Sequence, residues 1–467
     1  MTVPLLALMQ VLQAAGVDRS AATAVRYTGA DPVLPSAFLL GIAGAATQGA
    51  LGLAADALWC ERGGAPQTIA VDLREGALAL RTERHVTVDG AAPASPWNPI
   101  SGFYRTRDDR WIQFHCNFPH HRDGVLRLLG APADRAAVQE RVLGWDAQAL
   151  EDAAAEAGMC AAMLRTKAEW QAHPQGRAVA GLPLIDIARI GDAPPEPVDR
   201  RRPGPTRPLD GIRVLDLSRV IAGPVAGRTL AEHGATVMRV SAPHLPFVPP
   251  LLLDTGHGKI NAEIDLTAPG GRERLTALLA DADVFLQAYR PEALARRGFG
   301  PEDAARIRPG IVCVTLSAYG DAGPWAGRRG FDTLVQTASG LAAEEGGDRP
   351  RHLPAQALDY ATAHLAAFGA MVALERRVRE GGSWLVRLSL AATARWLDAL
   401  GRVPDVAAAR ALPEPKAVDL GGLLMETPSP FGRLGHLRPA LRMSRTQPHW
   451  TRPPAPLASS PPEWPAD

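Results

Sequence analysis

Between Pro208 and Val240 two short apolar runs, Ile212 to Leu217 and Ala235 to Val240, flank a small-residue turn (Ala222-Gly223-Pro224) and a helical pattern that continues through Leu230. Strand, turn, helix and strand in about thirty residues predict a βαβ unit with parallel strands. In such a unit the first turn lies at the carboxyl end of a strand, where α/β sheets bind ligands. Earlier in the chain, an Ala/Gly/Leu-rich helical stretch from Ser36 to Glu61 precedes a glycine turn, a strand from Thr68 to Leu73 and a helix from Arg74 to Leu80. The same order recurs later, with an Ala-rich helix over 355–377, the pair Gly381-Gly382, a strand from Trp384 to Leu390 and a helix from Ala391 to Leu400. The segments 57–80 and 372–397 therefore read as an internal repeat of one supersecondary unit. Between them, polar/apolar alternation on either side of Asp108-Asp109 predicts a hairpin within 95–119. A helical Ala- and Glu-rich section follows to about Gly176, then a short strand near Leu182 to Ile187.

The first turn reads A-G-P-V-A-G rather than G-x-G-x-x-G, and Ser241 follows the second strand where a dinucleotide site places an acid. A nicotinamide dehydrogenase is disfavoured on both counts. With 467 residues, two or more domains are expected. Fifty basic against 49 acidic residues leave a net charge of +1, which offers no broad attraction for nucleic acid. Cys60, Cys116, Cys160 and Cys313 show no C-x-x-C spacing, so neither a disulfide framework nor a metal site is expected, and a cytoplasmic location is. The apolar start, MTVPLLALMQVLQAAGV, lacks a basic leader region and reads as a helix of the mature protein. No uninterrupted apolar run reaches the ~18 residues of a membrane span, so no membrane partner is expected.

DGIRVLDLSRVIAGP followed by GATVMRV resembles the amino-terminal signature of family III CoA-transferases, a family that also contains α-methylacyl-CoA racemase. The resemblance continues through 258–300 (GKINAEIDLTAPGGRERLTALLADADVFLQAYRPEALARRGFG), 311–340 (IVCVTLSAYGDAGPWAGRRGFDTLVQTASG) and 357–377 (ALDYATAHLAAFGAMVALERR). It implies an α/β fold with a Rossmann-like parallel-sheet large domain and a smaller α+β domain. It also implies a homodimer, acyl-CoA and carboxylic acid substrates, and no permanently bound cofactor, coenzyme A entering as the substrate thioester.

Such chemistry needs a carboxylate nucleophile at a helix start beside the CoA sulfur. Asp359 matches the family's nucleophilic aspartate, and Asp332 in RRGFDTLVQ is expected either to order the site or to cap a helix. Family positions for CoA carry over to Ile221 and Ala222, Lys259, Ile264, Asp265, Leu266 and Thr267, then Ala288, Tyr289, Arg290 and Arg296, and finally Arg328, Arg329, Gly330 and Phe331. Arg296 is the leading phosphate ligand, because a guanidinium forks onto two phosphate oxygens. Phe331 stands where family racemases carry a histidine base; a phenyl ring accepts no proton, which favours transfer over racemisation. Gly381-Gly382 corresponds to a family glycine turn, and here helix termination is the simpler reading.

The family order is altered in this chain, which reads as two incomplete copies fused so that they complement each other. The expected boundaries are 1–94 (a partial copy with the helix–strand unit), 95–191 (small domain), 192–207 (a Pro/Arg-rich linker whose arginines are solvated), 208–400 (CoA-binding large domain) and 401–467 (return tail, its last ten residues disordered). The first copy carries Ala45 at the position of Asp359, so one active site per chain is expected. The competing readings are an acyl-CoA racemase or isomerase, and a non-catalytic CoA-binding protein.

Overall fold

The computed structural model describes residues 2–198, 201, 206–290 and 292–466. Its centre is a seven-stranded sheet whose strands, in chain order, are β1 (Asp186–Gly191), β2 (Arg213–Leu217), β3 (Thr236–Ser241), β4 (Lys259–Glu263), β5 (Val284–Gln287), β6 (Val312–Ser317) and β7 (Ser383–Ser389). The spatial order is β4-β3-β2-β5-β6-β7-β1; all neighbours are parallel except β1, which runs antiparallel to β7 along one edge. Strands β2, β5 and β6 are buried and largely apolar because both faces of the sheet are covered, as parallel sheets require. The chain leaves β2 in one direction and β5 in the other, so a crevice opens at their carboxyl ends, where doubly wound sheets place ligands.

Six helices bear on that crevice or on its support: α1 (Leu40–Glu61), α2 (Pro119–Leu129), α3 (Ala222–Glu232), α4 (Asp332–Ala338), α5 (Ala357–Glu380) and α6 (Leu390–Ala399). The predicted βαβ unit is β2-α3-β3; its strands lie within one residue of expectation, whereas Ala222-Gly223-Pro224, expected as a turn, form the first turn of α3. Helix α5 is buried along nearly its whole length and packs against α1, α3, α6 and the sheet. It is also the one helix among the described residues long and apolar enough to cross a membrane, and that apolar window is 100% buried inside the fold. Nearly all of α1 is likewise buried, and polar contacts bind the two helices: His364 approaches Thr47 Oγ1 at 3.2 Å and the Gln48 side-chain amide at 3.3 Å.

The predicted hairpin is present as Gly102–Arg105 paired with Trp111–Phe114, and a third strand not anticipated, Ala161–Met163, joins it. A separate core of Tyr104, Ile112, Phe114, Val125 and Leu150 holds this smaller unit together. The early strand Ile69–Asp72 joins not the large sheet but a small one, between Val25–Thr28 and Leu441–Met443. The two helix–turn–strand–helix units thus share an order of elements and enter different sheets.

Two expectations about irregular segments are corrected. Of the arginines read as solvated in the linker, Arg201 is almost buried and pairs with Asp283 and, at 2.9 Å, with Asp281, while Arg200 and Arg202 lie outside the described residues. The end of the chain, expected to be disordered, lies against the large domain. Trp464 Nε1 donates to the Leu278 carbonyl at 3.0 Å, and Ser460 N donates to the Asn261 carbonyl at 3.0 Å. One tryptophan gave this proline-rich segment enough apolar surface to pack.

Candidate active site

Helix α5 begins without a capping side chain of its own. Its free N–H groups are met from α4 instead: Asp332 Oδ2 accepts from Leu358 N at 2.8 Å and from Asp359 N at 2.9 Å. Gln336, one turn along α4, holds the arrangement by donating to Asp332 Oδ1 and accepting from Leu353 N at 2.8 Å. The capping role foreseen for Asp332 is therefore present, and it caps the very helix that carries Asp359.

Asp359 is 7% exposed, and it opens into a cavity of about 470 Å³ at the carboxyl ends of β2 and β5. Burial, then the neighbouring carboxyls of Asp332 and Glu83, push its pKa well above the ordinary range. Burial likewise pushes Asp332 up to about 7, despite the hydrogen bonds that favour its charged form. Glu83 reaches this region from the first hundred residues. Its backbone N–H donates to Tyr360 Oη at 3.1 Å, and Tyr360 donates to Asp254 Oδ2 at 2.8 Å. Asp254 is held in turn by Arg228 at 2.6 Å. Burial also raises Glu83, and its Oε2 is buried with no hydrogen-bond partner.

The turn after β2 is strained at one point. Val220 has φ +73°, a left-handed conformation that a β-branched residue adopts only when its surroundings impose it. Ile221, Ala222 and Gly223 follow at the start of α3 and line the cavity. A Cβ on Gly223 would sit 2.3 Å from the Ser218 side chain, so only glycine lets helix and strand approach this closely.

Of the carried-over positions, Ile221, Ala222, Ile264, Leu266, Thr267, Ala288, Tyr289, Arg290, Arg328, Arg329, Gly330 and Phe331 all line the cavity together with Asp359. Arg328 is largely committed elsewhere, 3.8 Å from Glu151 and over the Trp325 ring. Three positions lie off the cavity wall. Arg296 points outward, 78% exposed, and pairs with Glu292 at 2.8 Å, while its neighbour Arg297 faces the cavity. Lys259 is sealed beneath α3, bonded to Asp216 at 2.8 Å and to the Pro224 carbonyl at 2.6 Å. Asp265 is occupied locally, accepting from Thr267 N and Oγ1 at 2.8 and 2.7 Å. Gly381 and Gly382 lie at the far end of the 24-residue α5, where Gly382 N donates to the Ala193 carbonyl at 2.8 Å. They terminate the helix some ~30 Å from the carboxyl at its other end.

The sequence reading missed Arg219, His120, His121, His244 and Arg297, which also line the cavity, and Glu83 behind it. Arg219 sat inside the DLSRV block and could have been taken with its neighbours; the histidines and Glu83 arrive by tertiary contact alone. Arg219, Arg290, Arg297 and Arg329 have no carboxylate partner among the described residues, so the cavity presents free positive charge. The cavity thus joins a buried carboxyl, Asp359, with unneutralised guanidinium groups, an arrangement suited to an anionic ligand.

Residues 209–417 match the family model described as CoA-transferase family III. Among curated relatives, a probable fatty acyl-CoA transferase of Mycobacterium tuberculosis is 35% identical over 203 residues, 40% of this chain and 51% of the relative. An acetyl-coenzyme A transferase of Hypoxylon pulicicidum is 29% identical over 324 residues, covering 64% and 54%. A crystal structure of a hypothetical protein from Mycobacterium tuberculosis is 33% identical, covering 42% of this chain and 58% of its own, with a TM-score of 0.40. The chain spans about half the length of the curated relatives it matches.

Proposed function

We propose that the protein moves coenzyme A between an acyl-CoA thioester and a carboxylic acid, with Asp359 as nucleophile. The observation that carries this reading is a desolvated carboxyl opening into the same cavity as the free guanidinium groups of Arg219, Arg290 and Arg329. The Asp359 carboxylate attacks the thioester carbonyl; the C–S bond breaks, leaving an aspartyl–acyl anhydride and CoA thiolate. The thiolate then attacks the aspartyl carbonyl and expels the first acid as its carboxylate, giving an aspartyl–CoA thioester. The acceptor carboxylate reverses both steps, leaving with CoA and freeing Asp359. No net proton is consumed, and the burial of Asp359 limits the access of water to both intermediates.

Arg290 and Arg329 suit the CoA phosphates, and the small-residue wall of Ile221, Ala222 and Gly223 suits the pantetheine arm. Racemisation is disfavoured because Phe331, which accepts no proton, stands where family racemases carry a histidine base. The like order of 57–80 and 372–397, and the packing of α1 on α5, support the reading of two complementary partial copies. We assign the enzyme to the cytoplasm, where its four free thiols suit a reducing compartment, and carry over the family's homodimer. A mass-spectrometric screen of acyl-CoA donors against carboxylic acids is the test. New acyl-CoA species dependent on both substrates are expected, and simple hydrolysis to free CoA with every donor would overturn the reading.

A further inference from the structure

The walls beside Asp359 differ from those further out. The Phe331 ring lies flat on the His115 ring, with centroids 3.8 Å apart and planes 10° from parallel. It is 6.2 Å from Phe118 and meets His121 edge to face at 6.0 Å. Phe118, Phe331, Ile221, Ala318 and Leu390 face the cavity with Asp359, and none of them can carry charge. His115 and His121 are neutral at physiological pH, since burial pulls them down to about 4 and about 3. The charges acting on Asp359 are the carboxyls of Asp332 and Glu83, like in sign to itself. The Arg219 guanidinium stands 5.7 Å over Phe118 and 5.6 Å over Tyr289, and Arg219 and Arg329 act on His121 rather than on Asp359.

Building on the transfer reading, we propose that the acyl groups exchanged are uncharged and apolar, those of branched or aromatic monocarboxylic acids, and that Phe331 and Phe118 select them. A second carboxylate held beside Asp359 would be desolvated among aromatic rings and would face a like-charged carboxyl on which only other carboxyls act. A branched or aryl group instead replaces water against Phe331, Phe118 and Leu390 and gains stacking geometry. The free arginines are left to the phosphates of CoA.

The test compares isobutyryl-, benzoyl-, acetyl-, succinyl- and glutaryl-CoA as donors, each with the matching acids as acceptors. Isobutyryl- and benzoyl-CoA should exceed succinyl- and glutaryl-CoA in kcat/KM by at least ~10-fold, the usual discrimination of an apolar pocket. Phe331→Ala should lower kcat/KM for benzoyl-CoA at least ~10-fold more than for acetyl-CoA, mainly through KM. Phe331→Leu, which keeps the wall apolar and filled, should retain the preference for isobutyryl- over succinyl-CoA. Calorimetric titration with S-benzyl-CoA and S-(2-carboxyethyl)-CoA, neither of which turns over, should show the benzyl thioether binding more tightly. Efficient transfer confined to succinyl- or glutaryl-CoA would overturn this assignment and leave CoA transfer standing. Failure of every donor would remove both.

Discussion

The carboxylate of Asp332 accepts the backbone N–H of Asp359 at 2.9 Å, so one acid positions the other through the main chain rather than through its side chain. That contact holds the first turn of α5 in place. It also brings a second buried carboxyl close enough to raise the first.

Asp332→Asn keeps the capping oxygen and removes the charge. With one like charge gone, the acid limb of the pH–rate profile, set by ionisation of Asp359, should move to lower pH. Stability should change in a definite direction too. Asp332 titrates at about 7 in the folded chain against an ordinary 3.8, so the folded state holds this proton more tightly than the unfolded state does. Its contribution is therefore favourable at low pH and is lost as pH rises towards 7, by up to about 1.4 kcal/mol per pH unit within that window. Thermal melts should show the variant gaining on the wild type between about pH 4 and pH 7. A constant offset across that range would refute the assignment.

Removing the nucleophile should be close to total in its effect. Asp359→Asn and Asp359→Ala should each lose ~10²–10⁴-fold or more in transfer while CoA affinity, measured by calorimetry, stays near that of the wild type. Hydroxylamine added with acyl-CoA should modify a peptide containing Asp359. Retention of more than about a hundredth of the activity by Asp359→Ala would point to another nucleophile, Asp332 first.

In deuterated water, incubation with a chiral 2-methylacyl-CoA should leave the α-position unlabelled, because Phe331 replaces a base at the cavity wall. Mass spectrometry of the recovered thioester reads this directly. Rapid exchange would restore the racemase reading.

The arginines should separate by location. Arg290→Ala removes a free cation from the cavity and should raise KM for acyl-CoA about 10-fold with little change in kcat. Arg296→Ala, which breaks only an exposed pair with Glu292, should stay within about 2-fold of wild type. Equal effects would mean that CoA reaches Arg296 after all.

Residues 1–190 alone would expose the buried faces of α1, which the complete chain covers with α5. The fragment should aggregate, and a soluble fragment with a cooperative melt would argue against complementary halves.

What could be read from the chain follows from how each element is stabilised. Strands β2 and β3 are covered on both faces, so their apolar runs mark them almost to the residue. Edge strand β1 is half exposed and carried a weaker signal; it lies four residues beyond its expected start. Arg296 and Arg297 show a different limit. They sit in one 3-10 turn, where neighbouring side chains point about 120° apart, so motif position alone cannot tell the inward residue from the outward one. Lys259 matched a family block yet serves a buried pair with Asp216, 43 residues away, which no local pattern reports. The same holds for Arg201, whose partners Asp281 and Asp283 lie across the large domain.

Glu83 sets a boundary that sequence comparison draws elsewhere. The family-matching segment begins at residue 209, yet a carboxyl from residue 83 bears on the acid at 359. The electrostatic unit of this site is therefore larger than its homologous unit. A truncation designed on the matching segment would keep every proposed CoA contact carried over from the family and still retune the nucleophile. Substitutions at 82–85, far outside any recognisable motif, would register first as a displaced pH optimum rather than as lost binding.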